Sequence, residues 1–238
     1  MVSRRVLGLV PARGGSKGIP RKNARKLGSL YLLEYTARAA REAGCLTSLV
    51  LSTDDSEIAE IGGKCGLEVP FMRPVELARD ETPMLDVVRH AVITLAAERR
   101  EFEAICLLQP TSPLRSAETI RRCVAALWDS GADSVVSVRP VPTEFNPHWV
   151  YFPNEQNFLK ISTGEREPIT SRQLLPTAFH RDGNVFVVST QVLLTTNSLY
   201  GEKMAGIVSP QDESCDLDTT EQWERVETLL ASRNPAQA

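Results

Sequence analysis

The stretch Val6-Leu-Gly-Leu-Val-Pro-Ala-Arg-Gly-Gly-Ser-Lys-Gly-Ile-Pro-Arg-Lys-Asn23 decides how the chain is read. Val6 to Val10 is a short apolar run, of the length expected for a strand buried on both faces. It breaks at Pro11 into a loop with Gly14, Gly15 and Gly18, and with Arg13, Lys17, Arg21 and Lys22; Arg25 and Lys26 follow. Glycines let backbone N–H groups approach a ligand closely, and the cations neutralise it, so the loop reads as a polyphosphate site at the carboxyl end of the first strand. A basic surface loop is the plain alternative. Neither standard phosphate fingerprint is met. Ser16 occupies the place of the second glycine in G-x-G-x-x-G, and Lys17 precedes Gly18 where a P-loop needs the reverse.

Working outward, helical spacing of Leu33, Thr36, Ala37 and Ala40 predicts a helix stopped at Gly44. Ser48–Ser52 predicts a second buried strand, and Thr53-Asp-Asp-Ser56 the start of a helix along Ile58, Ile61 and Cys65. Further strands are predicted over 68–72, 104–108 and 134–138, with helices through Leu85–Leu95 and Ile120–Leu127. This alternation implies right-handed βαβ crossovers and a largely parallel sheet covered on both faces. Ligands then sit beyond the carboxyl ends of the strands, where loops 11–23, 53–56, 73–83 and 109–115 fall. Beyond Arg139 the pattern changes. Pro140, Pro142, Pro147 and Pro153 interrupt a stretch that also holds Phe145, Trp149, Tyr151, Phe152 and Phe158. The expected organisation is an α/β core of residues 1–139 and 183–231, an insertion of hairpins and loops over 140–182, and a disordered tail from Ser232 to 238. Within the core, strands are expected at 184–189 and 206–208, and a last helix starts near Thr219 or Thr220.

At 238 residues, 42% hydrophobic and 24% charged, the composition is that of a globular domain with room for a large core. A net charge of −3 argues against a nucleic-acid partner, and no apolar stretch reaches membrane-spanning length. Met-Val-Ser-Arg-Arg shows no signal-peptide pattern. Cys45, Cys65, Cys106, Cys123 and Cys215 form no C-x-x-C pair, and three of them fall in apolar periodic segments. A cytoplasmic protein with reduced core thiols is expected. His90, His148 and His180 form no metal cluster in the sequence, and His90 is expected to be solvated.

Near the end, Asp216 and Asp218 alternate in Ser-Cys-Asp-Leu-Asp-Thr219 and would point to one side of an extended segment. Such oxygen ligands suit magnesium bridged by phosphates. Asp218 or Thr219 could equally cap the last helix.

Pro-Ala-Arg-Gly-Gly-Ser-Lys-Gly-Ile-Pro-Arg-Lys-Asn strongly resembles the amino-terminal signature of the acylneuraminate cytidylyltransferases, the CMP-sialic acid synthetases, and the resemblance extends over most of the chain in ordered motifs. It implies a three-layer, Rossmann-like α/β fold of the nucleotide-diphospho-sugar transferase type. By analogy, Arg13 and Lys22 hold the nucleotide phosphates with Ser16 assisting, and Gly14 is a further nucleotide-binding residue; Lys17 is a rival for the same role, and Asn23 lies near the ribose. Arg73-Pro-Val-Glu-Leu77 resembles the segment near the base, with Arg73 facing the acceptors of cytosine. Gln109-Pro-Thr-Ser-Pro-Leu-Arg115 matches a second signature and brings Gln109, Thr111 and Ser112 to the sugar side. Arg172-Gln173 resembles the pair that grips the sugar carboxylate, and the family motif favours magnesium at Asp216 and Asp218.

The resemblance therefore implies transfer of CMP from CTP to an acidic 2-keto-3-deoxy sugar, sialic acid or a related nonulosonate, with Arg13, Lys22 and Asp218 as the catalytic groups. A related enzyme using another nucleotide or sugar, and an inactive nucleotide-binding protein, are the alternatives. The segment Arg181-Asp-Gly-Asn184 departs from the Asn-Gly-Ala of many relatives beside the expected sugar pocket. In the family, a comparable insertion reaches across a homodimer, so the aromatic stretch 140–182 is expected to form the subunit contact.

Overall fold

Strand β1 (Val6–Pro11) is buried along its whole length, and its side chains separate two layers. Val6 and Val10 enter one hydrophobic cluster, while Leu7 and Leu9 enter another on the opposite face. This is a computed structural model that describes residues 4–213, 215 and 217–233. A small hairpin follows, β2 (Lys26–Leu27) and β3 (Leu30–Tyr31). Next come α1 (Leu32–Ala43), β4 (Ser48–Ser52), α2 (Ser56–Lys64), α3 (Met84–Ala97), β5 (Ala104–Leu107), α4 (Ala117–Ser130) and β6 (Ser134–Pro140). The remaining elements are β7 (Tyr151–Pro153), β8 (Leu159–Ile161), β9 (Phe179–Ser189), α5 (Thr190–Thr196), β10 (Met204–Val208) and α6 (Thr220–Arg233).

The six-stranded sheet has the order β10-β6-β9-β5-β1-β4. β1 runs parallel to both β4 and β5, and β9 runs antiparallel to β5. The chain leaves β1 first to one side and then returns on the other, which makes the carboxyl end of β1 a topological switch point. One face of the sheet is covered by α1, α2 and α4, with Ala37, Ala40, Ile58, Ile120, Cys123 and Leu127 buried there. The other is covered by α3 and α5 through Val88, Ala91, Leu95 and Leu193. A third cluster joins Ile19 of the first loop to Leu114, Leu217, Trp223 and Val226, which ties α6 to that loop.

Local chemistry explains most boundaries. Gly44 closes α1 in the left-handed conformation (φ 65°), Asp55 caps α2 by accepting from Ile58 N–H, and Ser116 caps α4 by accepting from Thr119 N–H. The strand expected over 68–72 does not form. Glu68 makes a single parallel bridge to Val50, and Pro70, which lacks an N–H, prevents the ladder from continuing. The end of the chain also differs from expectation, because Ser232 and Arg233 belong to α6 rather than to a disordered tail; residues 234–238 lie outside the described ones. His90 is half-buried rather than solvated, edge-on to Phe71 at 5.1 Å between ring centroids. Cys65, Cys106 and Cys123 are buried free thiols.

The chain divides into two compact units. One carries the sheet up to Ser137 and from Asp182 onward, and the other is Val138–Arg181. In the second, β7 and β8 pair antiparallel, Trp149 Nε1 donates to Ile169 O at 2.6 Å, and Asn146 Nδ2 donates to Pro176 O at 2.9 Å. Phe145, Phe152, Phe158, Leu159 and Leu174 are exposed on it.

Candidate active site

The first loop is held from behind by the turn between β4 and α2. Gly14 N–H donates to Asp54 Oδ1 at 3.0 Å, and a β-carbon at Gly14 would lie 2.7 Å from Asp55 Oδ2. Arg21, in the left-handed region at φ 56°, reaches both Asp55 and Glu57 with its guanidinium. That pairing holds the Asp55 carboxyl below its ordinary range. Asn23 is buried and donates from Nδ2 to Arg13 O at 3.0 Å, closing the loop on itself. Ile19, 2% exposed, pins the middle of the loop into the third core cluster.

In front of this support lies a cavity of about 400 Å³. Arg13, Ser16, Lys17, Lys22 and Asn23 line it, together with Arg73, Gln109, Thr111 and Asp218. The structure therefore brings together residues from both ends of the sequence, Arg13 to Asp218, at the carboxyl end of β1. The three first-loop cations, Arg13, Lys17 and Lys22, are already paired with carboxylates. Asp80 bridges Arg13 Nη1 at 2.5 Å and Lys17 Nζ at 2.7 Å, while Lys22 Nζ donates to Leu217 O at 2.5 Å and meets Asp218 Oδ1 at 3.0 Å. The pairing with Lys17 and Arg13 lowers the Asp80 pKa, so its carboxylate is ionised at neutral pH.

Arg73 is 5% exposed; Nε donates to Ser52 Oγ at 3.1 Å and Nη2 to Ser52 O, which fixes the plane of the guanidinium at the cavity wall. Burial draws its pKa down to about 10, so it remains a cation. His90 stands close enough for Arg73 to add to the lowering of its pKa, after burial as the larger cause.

Two residues expected at the substrate, Gly14 and Ser112, have their polar groups bonded within the protein. Gly14 serves the loop's support through Asp54, as described. Ser112 is 2% exposed and donates to Gly183 O at 3.2 Å, so its hydroxyl braces β9 against the second loop. Beside it, Arg115 is buried, 4% exposed, and spans three acceptors, Asn184 O, Gln109 O and Thr36 Oγ1. Sequence reasoning passed over Arg115 and Asp80. The former ends a motif read for its hydroxyls, and the latter lies in loop 73–83, expected at the ligand end of the sheet but read for Arg73 alone.

The alternative role of Asp218 as a helix cap falls to its neighbour. Thr219 Oγ1 accepts from Gln222 N–H at 3.3 Å, and Gln222 Oε1 accepts from Thr219 N–H at 2.9 Å, a reciprocal capping box. The Asp218 carboxylate is left facing Lys22 and the cavity. Asp216 lies outside the described residues. Arg172 opens a 3-10 turn, Arg172–Leu174, in the second unit, where Gln173 Oε1 accepts from Ser171 Oγ at 2.6 Å.

The protein is thus of the α/β class, with a mostly parallel sheet and a cation-lined cavity at its switch point. Residues 7–209 match the family model described as cytidylyltransferase, and the chain belongs to that family. It is 33% identical over 232 residues to the CMP-N,N'-diacetyllegionaminic acid synthase of Legionella pneumophila, covering 95% of this chain and 96% of the relative. The pseudaminic acid cytidylyltransferase of Campylobacter jejuni is 27% identical over 221 residues, covering 93% and 94%. Among solved structures, CMP:2-keto-3-deoxy-manno-octonic acid synthetase complexed with CTP superposes with a TM-score of 0.70 at 14% identity. That match covers 96% of this chain and 99% of the other and shows a shared fold.

Proposed function

We propose that the chain transfers CMP from CTP to the anomeric hydroxyl of an acidic 2-keto-3-deoxy sugar of the nonulosonate class, releasing pyrophosphate. The observation that carries this reading is the meeting of Arg13, Lys17, Lys22, Arg73, Gln109 and Asp218 in one cavity of a cytidylyltransferase. The names of relatives acting on legionaminic and pseudaminic acids support the sugar class.

In this mechanism the sugar hydroxyl attacks the α-phosphorus, a new P–O bond forms, and the bond to the β-phosphate oxygen breaks. Arg13 and Lys22 stabilise the negative charge that grows on the departing pyrophosphate, and Ser16 and Asn23 orient the nucleotide. Arg73 presents its rigid guanidinium to the base, and Gln109 and Thr111 face the sugar hydroxyls. Arg172 and Gln173 take the sugar carboxylate.

Magnesium suits the donor set. Asp218 offers hard oxygens among phosphate-binding cations, and Asp216 is the second carboxylate of the motif; magnesium is commonly held by one or two carboxylates plus substrate phosphates. When bound, it neutralises charge on the phosphate oxygens. No described helix is long and apolar enough to cross a membrane. The five free thiols support a cytoplasmic setting, and the exposed apolar side chains of residues 138–181 support a homodimer built through that unit.

The test is pyrophosphate release across a matrix of nucleoside triphosphates and sugar acids that includes N-acetylneuraminate, legionaminate, pseudaminate and 3-deoxy-octulosonate. CTP with a nonulosonate should give the highest rate. A preference for another triphosphate, or for a neutral sugar phosphate, contradicts the proposal.

A further inference from the structure

Asp80 places a carboxylate among the phosphate-binding cations, and the mechanism above gives it no task. Its two oxygens reach different partners, Oδ1 to Arg13 and Oδ2 to Lys17. Two oxygens of one terminal phosphate would make the same bridge. The third cation is not part of it, since Lys22 is engaged by Leu217 O and Asp218. The cations thus fall into two sets: Arg13 with Lys17 on Asp80, and Lys22 on the α6 side. Asp80 sits in an exposed loop between the 3-10 turn Val75–Ala78 and α3. The described ties of that loop are light: Thr82 N–H donates to Arg79 O at 3.3 Å and Thr82 Oγ1 to Glu76 O at 3.2 Å.

We propose that Asp80 is a stand-in for the terminal phosphates of the nucleotide. It holds Arg13 and Lys17 in phosphate-binding positions before the nucleotide arrives, and it yields them to the pyrophosphate portion of the triphosphate. This rests on the nucleotidyltransferase reading. Charge makes the exchange selective, because a polyphosphate outweighs a single carboxylate at two cations whereas one phosphate scarcely does. The same competition works in reverse after transfer, when Asp80 reclaims the cations and favours pyrophosphate release. Asp80 is therefore a positioning residue, and it sets polyphosphate affinity in a direction opposite to that of a ligand-binding group.

That sign provides the test. Inorganic pyrophosphate is titrated calorimetrically, without divalent ions, into the full chain and into its Asp80→Asn and Asp80→Glu variants, with CTP titrated into the full chain as a reference. Removing two partly exposed ion pairs from the competition should tighten pyrophosphate binding about tenfold in Asp80→Asn, with Asp80→Glu remaining near the parent. A group that merely braces the loop would not produce tightening. An unchanged or weakened affinity in Asp80→Asn overturns the proposal while leaving the nucleotide site intact. Failure of the parent chain to bind either pyrophosphate or CTP would contradict the site itself, and the proposal with it. Because the side chain is exposed, the variants should melt like the parent, and Asp80→Ala provides a second comparison if Asn does not.

Discussion

A β-carbon placed on Gly18 would lie 1.9 Å from the carbonyl oxygen of Asp218, so the first loop and the segment before α6 meet backbone to backbone. Lys22 reinforces this meeting from the same loop through Leu217 O and the Asp218 carboxylate. The glycine at position 18 is thus required by proximity, and it positions the carboxylate proposed to hold magnesium.

Gly18→Ala should accordingly displace Asp218 and lower the rate of CMP transfer by about 10- to 100-fold, since misplacement on the ångström scale costs about that much. Gly63→Ala is the control, because nothing lies within 4 Å of a β-carbon there. Steady-state kinetics on both variants, with melting curves, separates a positional loss from a general loss of folding.

The support behind the loop predicts how stability depends on pH. The folded-state pKa of Asp55 is depressed, chiefly by its hydrogen bond to Arg21. Its contribution is therefore fully present above the unfolded carboxylate value of about 3.9 and is lost as pH falls through the lower folded value. Asp55→Asn keeps an α2 cap but removes the charge. Denaturant unfolding below about pH 4 should show a shallower acid loss in this variant than in the parent.

Arg115 should prove structurally costly to replace. Arg115→Met takes the guanidinium donor from Asn184 O and leaves Gln109 O with only the long bond from Ser112 N–H at 3.4 Å. A loss of about 2–4 kcal/mol in unfolding free energy is expected from these lost bonds. Lysine should rescue little, because one ammonium on a flexible stem does not reproduce the planar fork.

How much of this was legible in the sequence varies with the range of the interaction. Strands β1, β4 and β5 could be read from short apolar runs, and Gly44, Asp55 and Ser116 carry the local signals that bound their helices. The Glu68 segment misled because its apolar residues looked like a strand, while Pro70 outweighed them. Most of the cavity-lining cations could be named from the first loop and its resemblance. Asp218 could be named as well, from its alternating motif, but its pairing with Lys22 could not, and neither could Asp80, which reaches Arg13 and Lys17 only through the topology of the sheet. Ser112 shows the same limit. Its motif suggested an open hydroxyl, but β9 lies against it, and that neighbour comes from seventy residues further on.

The homodimer proposal makes a separate prediction. If the unit Val138–Arg181 brings Arg172 to the neighbouring subunit's site, mixing Asp218→Asn with Arg172→Ala protein should give activity above either alone. Sedimentation as a monomer would refute the interface. A dimer without complementation would retain the interface and return Arg172 to its own subunit.

The most direct measurement follows one oxygen atom. A nonulosonate such as N,N'-diacetyllegionaminate, labelled with ¹⁸O at its anomeric hydroxyl, is incubated with CTP and magnesium, and the products are weighed by mass spectrometry. Direct attack on the α-phosphorus predicts a CMP-sugar that retains the label in its bridging oxygen and pyrophosphate that carries none. Absence of a CMP-sugar, or a CMP-sugar that has lost the label, would contradict the account.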